Sequence, residues 1–391
     1  MKIARSGRYK EGIGQMKVYG INEIKENVEL YGRTYLDQKR EVLYFNWSLS
    51  GFETEFEGSY LEADLVSLPD SRPEQIPSAN PMEPETVMVP DWAWIQVVLD
   101  GKKEPWQKIL LDQESKKVIL FASEKTEHHV IRVVKLTENF RTAVGIRRIV
   151  TDGKIGRSKT KETSTIEFIG DSITCGFGNL ATDGNRMFYT EDEDAWLTHG
   201  AIAARELGWK PSLISISGFA MTKYEGYPFP HGIEELYPYT DLVTQERLGG
   251  QEPFEVWDFE EHPTDYIVLN IGTNDSTFVK MAEDPWAAEQ IYEDHYLEFL
   301  KMLRKYNGPK TKIICAMGSI DYYLYDRILS AVERLKKETG DRFIYTMKYT
   351  KMLSMGLDVG ACFHPSRSKQ EKMAQELVRF IRERVIPERK V

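Results

Sequence analysis

The sequence contains little cysteine for its length, with three residues, Cys175, Cys315 and Cys362, among 391. An odd number of widely spaced cysteines provides no disulfide framework, and no C-x-x-C pair indicates a metal site. Histidine is also scarce, with seven residues. His128 and His129 are neighbours on a predicted strand, so their side chains point to opposite faces and cannot share a zinc ion. We therefore expect no disulfide scaffold, no metal and no cofactor.

Long apolar runs and excess positive charge are missing as well. No run of about 18 apolar residues predicts a membrane-spanning helix. The first 15 residues, MKIARSGRYKEGIGQ, lack the apolar stretch of about 7–15 residues that marks a signal peptide. As written, the sequence predicts a cytoplasmic protein without a membrane partner. The net charge of −10 argues against nucleic-acid binding, which requires clustered cations, and a neutral small molecule or polymer fits better.

A first region has the pattern of an all-β fold. Between residues 30 and 148, short runs rich in β-branched and aromatic residues are separated by Gly, Pro, Asp and Asn. The strand candidates are residues 41–47, 51–57, 94–99 and 129–136. Many short strands without a convincing helix predict a β-sandwich of the jelly-roll type, and residues 69–90, with six prolines, are predicted to form a long loop in it. A chain of 391 residues usually exceeds one hydrophobic core, so residues 1–155 are assigned to a first domain.

A second domain is predicted for residues 156–391, where apolar strands alternate with amphipathic helices. The strand candidates are residues 165–169, 212–216, 266–271, 312–317 and 343–346. The helix candidates are residues 196–207, 286–306, 324–337 and 369–385, the last with a capping box formed by Ser368 and Glu371. This alternation predicts an α/β fold of the flavodoxin-like type, a parallel sheet with helices on both faces. The polar residues 152–163 are predicted to link the two domains.

The first chemical signal is an apolar strand that runs directly into Gly-Asp-Ser, in IEFIGDSIT at residues 166–174. Ligands of open parallel sheets bind beyond the carboxyl ends of the strands, so Ser172 is predicted to lie where substrates collect. Asp171 is predicted to cap the next helix and so to have a supporting role. The pattern is neither the G-x-S-x-G elbow of α/β-hydrolases nor a phosphate-binding loop. Taken alone, a serine at this place is also compatible with a simple helix cap.

Two further strand ends supply hydrogen-bond donors. The run YIVLNIGTND at residues 266–275 contains Asn274, whose side-chain amide can donate to the oxyanion that develops on an attacked carbonyl. Asp275 follows it and is assigned a supporting role, although both residues are also compatible with an Asx turn. The run SISGF at residues 215–219 contains Gly218, which can offer an unobstructed backbone N–H.

A late histidine, His364, precedes the C-terminal helix in the run FHPS at residues 363–366. A serine hydroxyl is a poor nucleophile unless a positioned base takes its proton, and a histidine that titrates near neutrality suits that task. We therefore predict that His364 is the base for Ser172.

Gly-Asp-Ser, an isolated Gly, Gly-Thr-Asn-Asp and a late His-Pro, in this order, resemble the four blocks of the SGNH (GDSL) hydrolases. The resemblance implies that Ser172 is the nucleophile and His364 the base, and that an oxyanion hole is formed by the N–H groups of Ser172 and Gly218 and by the Asn274 amide. The β region is similar to the jelly roll of carbohydrate esterase family 2, whose members deacetylate xylan, mannan and related sugars. The implied partner is an acetylated oligosaccharide, and the implied reaction is removal of its O-acetyl groups through an acyl-enzyme.

One position departs from the family pattern. Many SGNH enzymes carry an Asp three residues before the base, where this sequence has Ala361, and the nearest carboxylate is Asp358. We predict a Ser-His dyad in which a backbone carbonyl near residues 361–363 orients the imidazole, and Asp358 is the alternative.

Aromatic residues beside the motifs are candidates for substrate binding, because sugar rings present C–H faces that stack on them. Phe363 adjoins His364, and Tyr224 and Tyr227 follow Gly218; core packing also explains the two tyrosines. Two other functions remain open. One is an SGNH lipase or thioesterase acting on other short acyl esters, and the other is a non-catalytic carbohydrate-binding protein. The sequence does not indicate the sugar, the hydroxyl position or the oligomeric state.

Overall fold

The computed structural model describes residues 16–76, 85–102, 104–159 and 162–386. The first region contains helix α1, Ile21–Asn27, and twelve strands: β1 Lys17–Gly20, β2 Glu29–Tyr31, β3 Tyr35–Asp37, β4 Val42–Tyr44, β5 Gly51–Leu68, β6 Asp70–Ile76, β7 Glu85–Asp91, β8 Trp94–Leu99, β9 Gln107–Leu110, β10 Ser115–Lys135, β11 Ala143–Thr151 and β12 Lys154–Arg157.

Ten of these strands form one antiparallel sheet along the order β3-β4-β11-β5-β10-β8-β9, with β1 beside β11 and with β2 and β12 beside β5. The two long strands, β5 and β10, pair with each other over most of their length. Residues 51–57 of β5 lie beside β2 and β12, whereas residues 61–68 lie beside β11. Side chains at alternate positions are buried in the core of this sheet within each half of β5, with Phe52 and Phe56 in the first half and Leu61, Ala63 and Leu65 in the second. The predicted jelly-roll-like β fold is confirmed.

The second region contains strands β13 Thr165–Gly170, β14 Lys210–Ser215, β15 Tyr266–Asn270, β16 Lys312–Met317 and β17 Ile344–Lys348. Its α-helices are α2 Ser172–Cys175, α3 His199–Leu207, α4 Ile233–Leu236, α5 Leu242–Arg247, α6 Thr273–Met281, α7 Pro285–Asn307, α8 Tyr325–Thr339 and α9 Arg367–Phe380. Short 3₁₀ turns span Thr190–Asp192, Ala195–Leu197 and Ala361–Phe363, and a π-helical turn spans Ile381–Val385.

The five strands form a parallel sheet in the order β14-β13-β15-β16-β17, which is the flavodoxin-like order. Successive side chains of a strand point to opposite faces of this sheet, and each face is covered by a separate hydrophobic core. Ile169 packs into the core that includes α7 and α8, and Phe168 packs into the core that includes α3 and α9. Gly170, the last residue of β13, pairs with Ser215 of β14 and with Asn270 of β15. The carboxyl ends of these three strands therefore meet at one edge, as the motifs predicted.

The two regions share their cores. Trp47 of the first region belongs to the α7/α8 core, and its indole N–H donates to the Thr240 carbonyl at 2.9 Å. Leu136, just after β10, belongs to the α3/α9 core. The jelly roll is thus packed onto the parallel sheet, and its loops can reach the edge where the motifs meet.

Three predictions about local structure were wrong. Within residues 69–90, β6 and β7 form a two-stranded antiparallel ribbon, which tolerates Pro73 and Pro90 because each strand has one edge without a partner; residues 77–84 lie outside the described residues. Within the predicted linker 152–163, β12 pairs with β5, so the first sheet continues to Arg157, while the domain boundary at residue 155 stays a prediction. The last helix begins after Ser366, whose hydroxyl accepts from the Lys369 N–H, and not at a box formed by Ser368.

Among the described residues, no helix is long and apolar enough to cross a membrane.

Candidate active site

Ser172 lies at the start of α2, directly after β13. The Asp171 carboxylate accepts from the Ile173 N–H at 2.9 Å and so caps this short helix. Burial raises the pKa of the Asp171 carboxyl to about 7. The cap fixes the backbone at Ser172, which agrees with the supporting role predicted for Asp171.

His364 faces Ser172. Its Nε2 lies 2.9 Å from the Ser172 Oγ, and its Nδ1 lies 3.0 Å from the Cys362 carbonyl oxygen. A carbonyl oxygen only accepts hydrogen bonds, so Nδ1 carries the hydrogen and Nε2 of the neutral ring is the acceptor. The contact to Cys362 therefore selects the tautomer that can take a proton from Ser172.

The loop that carries His364 has a strained backbone, and hydrogen bonds to a neighbouring segment hold it in place. Cys362 and Phe363 have φ values of +49° and +57°, a left-handed conformation that costs about 1–3 kcal/mol for each non-glycine residue. Both N–H groups are held by the chain after Ser172: the Cys362 N–H donates to the Arg186 carbonyl at 3.1 Å, and the Phe363 N–H donates to the Gly184 carbonyl at 3.2 Å. These bonds keep the Cys362 carbonyl turned toward the imidazole.

Asp358, the alternative partner of His364, pairs elsewhere. Its carboxylate contacts the Lys372 ammonium at 2.5 Å, and the Nδ1 partner of His364 is the Cys362 carbonyl. We expect Asp358→Asn to leave kcat for p-nitrophenyl acetate within about twofold of the unchanged protein, because the carboxylate pairs with Lys372 and not with the imidazole. A loss of turnover in a variant with an unchanged melting temperature would show that the carboxylate, rather than the carbonyl, supports the base.

The pH dependence of the reaction is expected to follow His364. Burial lowers the pKa of the His364 imidazole, an effect that its hydrogen bonds to Cys362 and Ala361 oppose. Only the neutral ring can accept the Ser172 proton, so kcat/KM is expected to rise with pH through an apparent pKa below the usual value of about 6.5. A profile between pH 4.5 and 8 with p-nitrophenyl acetate measures this limb, and a midpoint at or above the usual value contradicts the prediction.

Gly218 lies in a turn after β14 whose other N–H groups are occupied. The Ser217 N–H donates to Glu138 at 2.6 Å, the Phe219 N–H donates to the Ile216 carbonyl at 3.3 Å, and the Ala220 N–H donates to the Tyr227 hydroxyl at 2.9 Å. Within the described parts of the chain, the Gly218 N–H has no acceptor. Its φ is +81°, and a Cβ at this position would lie 2.7 Å from the Phe229 ring, so the turn requires glycine. The Gly218 N–H is available to a ligand.

Asn274 begins the helix after β15. Its side-chain amide donates to the Phe219 carbonyl at 2.8 Å, which places the amide beside the Gly218 turn. An amide NH₂ has two hydrogens, so one remains for a second acceptor. Ser172, Gly218, Asn274 and His364 are therefore brought together at one sheet edge.

The remaining predicted residues are placed around this turn. Asp275 is completely buried and accepts from the Met221 N–H at 2.9 Å and from the Tyr224 hydroxyl at 2.8 Å. Burial raises the pKa of its carboxyl to about 7. The Tyr224 hydroxyl is used by Asp275, and the Tyr227 hydroxyl accepts from the Ala220 N–H of the turn. Phe363 is 50% exposed beside His364.

Sequence reasoning missed several side chains that surround the site. The Phe177 ring stacks on Phe188 with centroids 3.9 Å apart, and it lies 4.5 Å from the His364 ring. The Arg141 guanidinium lies over Phe188 at 4.7 Å. Phe140, 38% exposed, packs against the rings of Phe219 and Phe229. Phe177 follows the Ser172 motif in the sequence, and this position predicts that it lies near the site. Phe140 and Arg141 belong to the first region, where no local motif marks them.

One group of potential metal ligands occurs within the described residues, namely Glu138, Cys175 and Glu193, with ligand atoms within 4.8 Å of one another. The Glu138 carboxylate already accepts from the Ser217 N–H and from Arg141. Burial and the neighbouring Glu138 raise the pKa of the Glu193 carboxyl well above its usual range, and Lys135 and Arg141 oppose that shift only in part. Because protein donors already occupy both oxygens of Glu138, these oxygens are not free for a metal ion.

The sequence model of one family matches residues 168–384, a span that contains Ser172, Gly218, Asn274 and His364. That family is the GDSL-like lipase/acylhydrolase family. The chain belongs to it. Membership confirms the resemblance inferred from the four motifs.

Two curated proteins show what this GDSL-family chain is similar to. The cellulase/esterase CelE of Acetivibrio thermocellus is 26% identical over 297 residues, which are 75% of this chain and 34% of CelE. The chain thus spans about a third of the length of CelE. An acetylxylan esterase / glucomannan deacetylase of Cellvibrio japonicus is 24% identical over 268 residues, 66% of this chain and 69% of that protein.

Solved structures agree on the fold of the whole described chain. An acetyl xylan esterase of Butyrivibrio proteoclasticus superimposes with a TM-score of 0.77 at 22% identity, covering 94% of this chain and 98% of that one. A family two carbohydrate esterase of Clostridium thermocellum, solved with cellohexaose, superimposes with a TM-score of 0.73 at 23% identity, covering 91% and 98%. Because the similarity covers both sheets, the β region and the catalytic region form one recurring architecture.

Proposed function

We propose that the protein is a serine carbohydrate esterase that removes O-acetyl groups from xylan- or mannan-derived oligosaccharides. The observation that carries the proposal is the 2.9 Å contact between the Ser172 Oγ and the His364 Nε2, at the sheet edge where the Gly218 N–H has no acceptor among the described residues. The relatives named as acetylxylan esterases and glucomannan deacetylases support the substrate class.

In the proposed reaction, His364 takes the Ser172 proton as the Oγ attacks the acetyl carbonyl. The N–H groups of Ser172 and Gly218 and the Asn274 amide stabilise the oxyanion. His364 then passes the proton to the departing sugar oxygen, which leaves an acetyl group on Ser172. A water molecule, deprotonated by the same imidazole, attacks this ester; the bond between the acyl carbon and the Oγ breaks, acetate leaves, and the imidazole returns the proton to the Ser172 Oγ. The Cys362 carbonyl, in place of the usual carboxylate, orients the ring and accepts from its Nδ1–H.

Mass spectrometry of acetylated xylo- and manno-oligosaccharides before and after incubation tests the proposal. We expect a loss of acetyl groups from at least one series and none in samples incubated with Ser172→Ala. If neither series loses acetyl groups while p-nitrophenyl acetate is cleaved, the sugar assignment fails and the esterase assignment stands.

A second candidate function, hydrolysis of esters with longer acyl chains, is favoured by one observation. Leu353, Met355 and Leu357, in the loop that leads to His364, are 69%, 80% and 85% exposed. Exposed apolar side chains that precede the base in the chain can contact an acyl chain. A higher kcat/KM for p-nitrophenyl octanoate than for p-nitrophenyl acetate would favour this second function over deacetylation.

A further inference from the structure

The segment after β10 leaves the antiparallel sheet and inserts a carboxylate beside the Gly218 turn. Glu138 is completely buried. One carboxylate oxygen accepts from the Ser217 N–H at 2.6 Å, and the other accepts from the Arg141 Nε at 2.9 Å. The two oxygens of this side chain therefore join the Ser217 N–H to the Arg141 guanidinium through hydrogen bonds.

The hydrogen bond from Ser217 to Glu138 fixes the Ile216–Ser217 peptide. The next peptide, Ser217–Gly218, carries the N–H that the proposed chemistry uses. The Gly218 N–H belongs to the Ser217–Gly218 peptide, and the peptide just before it carries the N–H that Glu138 holds. On the other side, Asn274 binds the Phe219 carbonyl. The Gly218 N–H is thus held between two anchors, one from each region of the chain.

Glu138 is itself immobilised by its surroundings. Its own N–H donates to the Glu193 carboxylate at 3.0 Å, and its carbonyl accepts from the Lys135 ammonium at 2.9 Å. Lys135 and Glu193 are both completely buried. These two bonds hold the Glu138 backbone on both sides of its Cα, so the carboxylate presents a fixed acceptor to the turn.

We propose that Glu138 is a positioning residue for the oxyanion hole. Through Glu138, the jelly-roll region completes the catalytic site. The inference rests on the proposed esterase function. Glu138 touches neither substrate nor the reacting atoms; it keeps the Gly218 N–H aimed at the position of the oxyanion. Catalytic donors must be held within about 0.5 Å of the productive geometry. A turn that contains a left-handed glycine and lacks the bond to Glu138 would not hold the Gly218 N–H so precisely.

Two variants of the full chain test the role. Removing one oxyanion donor costs about 10²–10³ in kcat, and misaligning one should cost less. For p-nitrophenyl acetate we expect kcat to fall about tenfold in Glu138→Gln, which keeps an acceptor oxygen, and about 100-fold in Glu138→Ala. KM and the acid limb of the pH profile are expected to stay unchanged, because His364 and its partners are not touched.

Glu167→Gln is the matched control. Glu167 is also a buried glutamate that joins the two regions, through an ion pair with Arg33 at 3.4 Å, but it does not contact the turn. We expect this variant to lower the melting temperature and to keep kcat within twofold.

A kcat of Glu138→Gln within twofold of the unchanged protein, or equal losses of kcat in Glu138→Gln and Glu167→Gln, overturns the positioning role while the esterase function stands. If the unchanged protein and Ser172→Ala release p-nitrophenol equally, the esterase function fails, and the positioning role fails with it.

Discussion

Replacing Ser172 by alanine is expected to abolish deacetylation while the fold persists. The substitution removes the Oγ that lies 2.9 Å from His364, and no other hydroxyl occupies its place at the start of α2. Loss of the nucleophile in serine hydrolases lowers kcat by about 10⁴–10⁶. Acetate release from acetylated oligosaccharide and p-nitrophenol release measure the loss, and thermal unfolding measures the fold.

The matched control is Ser67→Ala. Ser67 is a buried serine of β5 whose hydroxyl has no partner in the described part of the chain. Its loss should leave kcat within about twofold, since substitutions away from the site act on stability and seldom on the reaction. If Ser172→Ala keeps a tenth or more of the activity, Ser172 is not the nucleophile.

Replacing Asn274 by alanine is expected to produce the second largest effect, a fall in kcat of about 10²–10³, or 2.7–4 kcal/mol of transition-state stabilisation. Two contributions are lost together: the free amide hydrogen, and the bond to the Phe219 carbonyl at 2.8 Å that braces the Gly218 turn. KM is expected to change little, because an oxyanion forms only after binding. Steady-state kinetics with p-nitrophenyl acetate give both parameters.

Two further variants separate the effect of losing the Asn274 donor from the effect of lower stability. Asn274→Asp keeps the shape of the side chain but replaces the donor with an anion, so its kcat should fall at least as far. Asn307→Ala removes a remote asparagine whose amide also makes two hydrogen bonds, to Tyr237 and Leu303, and should reduce stability without changing kcat. An Asn274→Ala variant with kcat within threefold of the unchanged protein would exclude the amide from the oxyanion hole.

Much of the site was predictable because each functional residue follows a strand or precedes a helix in a recognisable run. The order of the motifs in Ser172, Gly218, Asn274 and His364 corresponds to one edge of a parallel sheet, and the structure brings all four to that edge. The role of each in turnover stays a prediction that the variants above test.

Other parts could not be predicted, because they depend on contacts between residues far apart in the sequence. Glu138 and Ser217 are 79 positions apart, and Glu138 lies in no motif. Tyr224 and Tyr227 were predicted to contact substrate from their positions in the sequence, yet the Tyr224 hydroxyl donates to Asp275 and the Tyr227 hydroxyl accepts from the Ala220 N–H of the Gly218 turn. The ribbon of β6 and β7 was not predicted, because prolines in a sequence argue against a strand. A proline lacks a backbone N–H, and it destabilises a strand only where a neighbouring strand would accept that N–H.

The sequence by itself determined the two sheets, the family and the residues that can perform acyl transfer, because hydrophobic periodicity and short motifs are local properties of the chain. Only the tertiary structure decided which group orients the base. Asp358 is nearest in sequence among carboxylates, but it pairs with Lys372, and the strained loop turns the Cys362 carbonyl to His364. The tertiary structure also decided that a carboxylate of the jelly roll braces the Gly218 turn, because packing of one region on the other determines which buried polar groups meet.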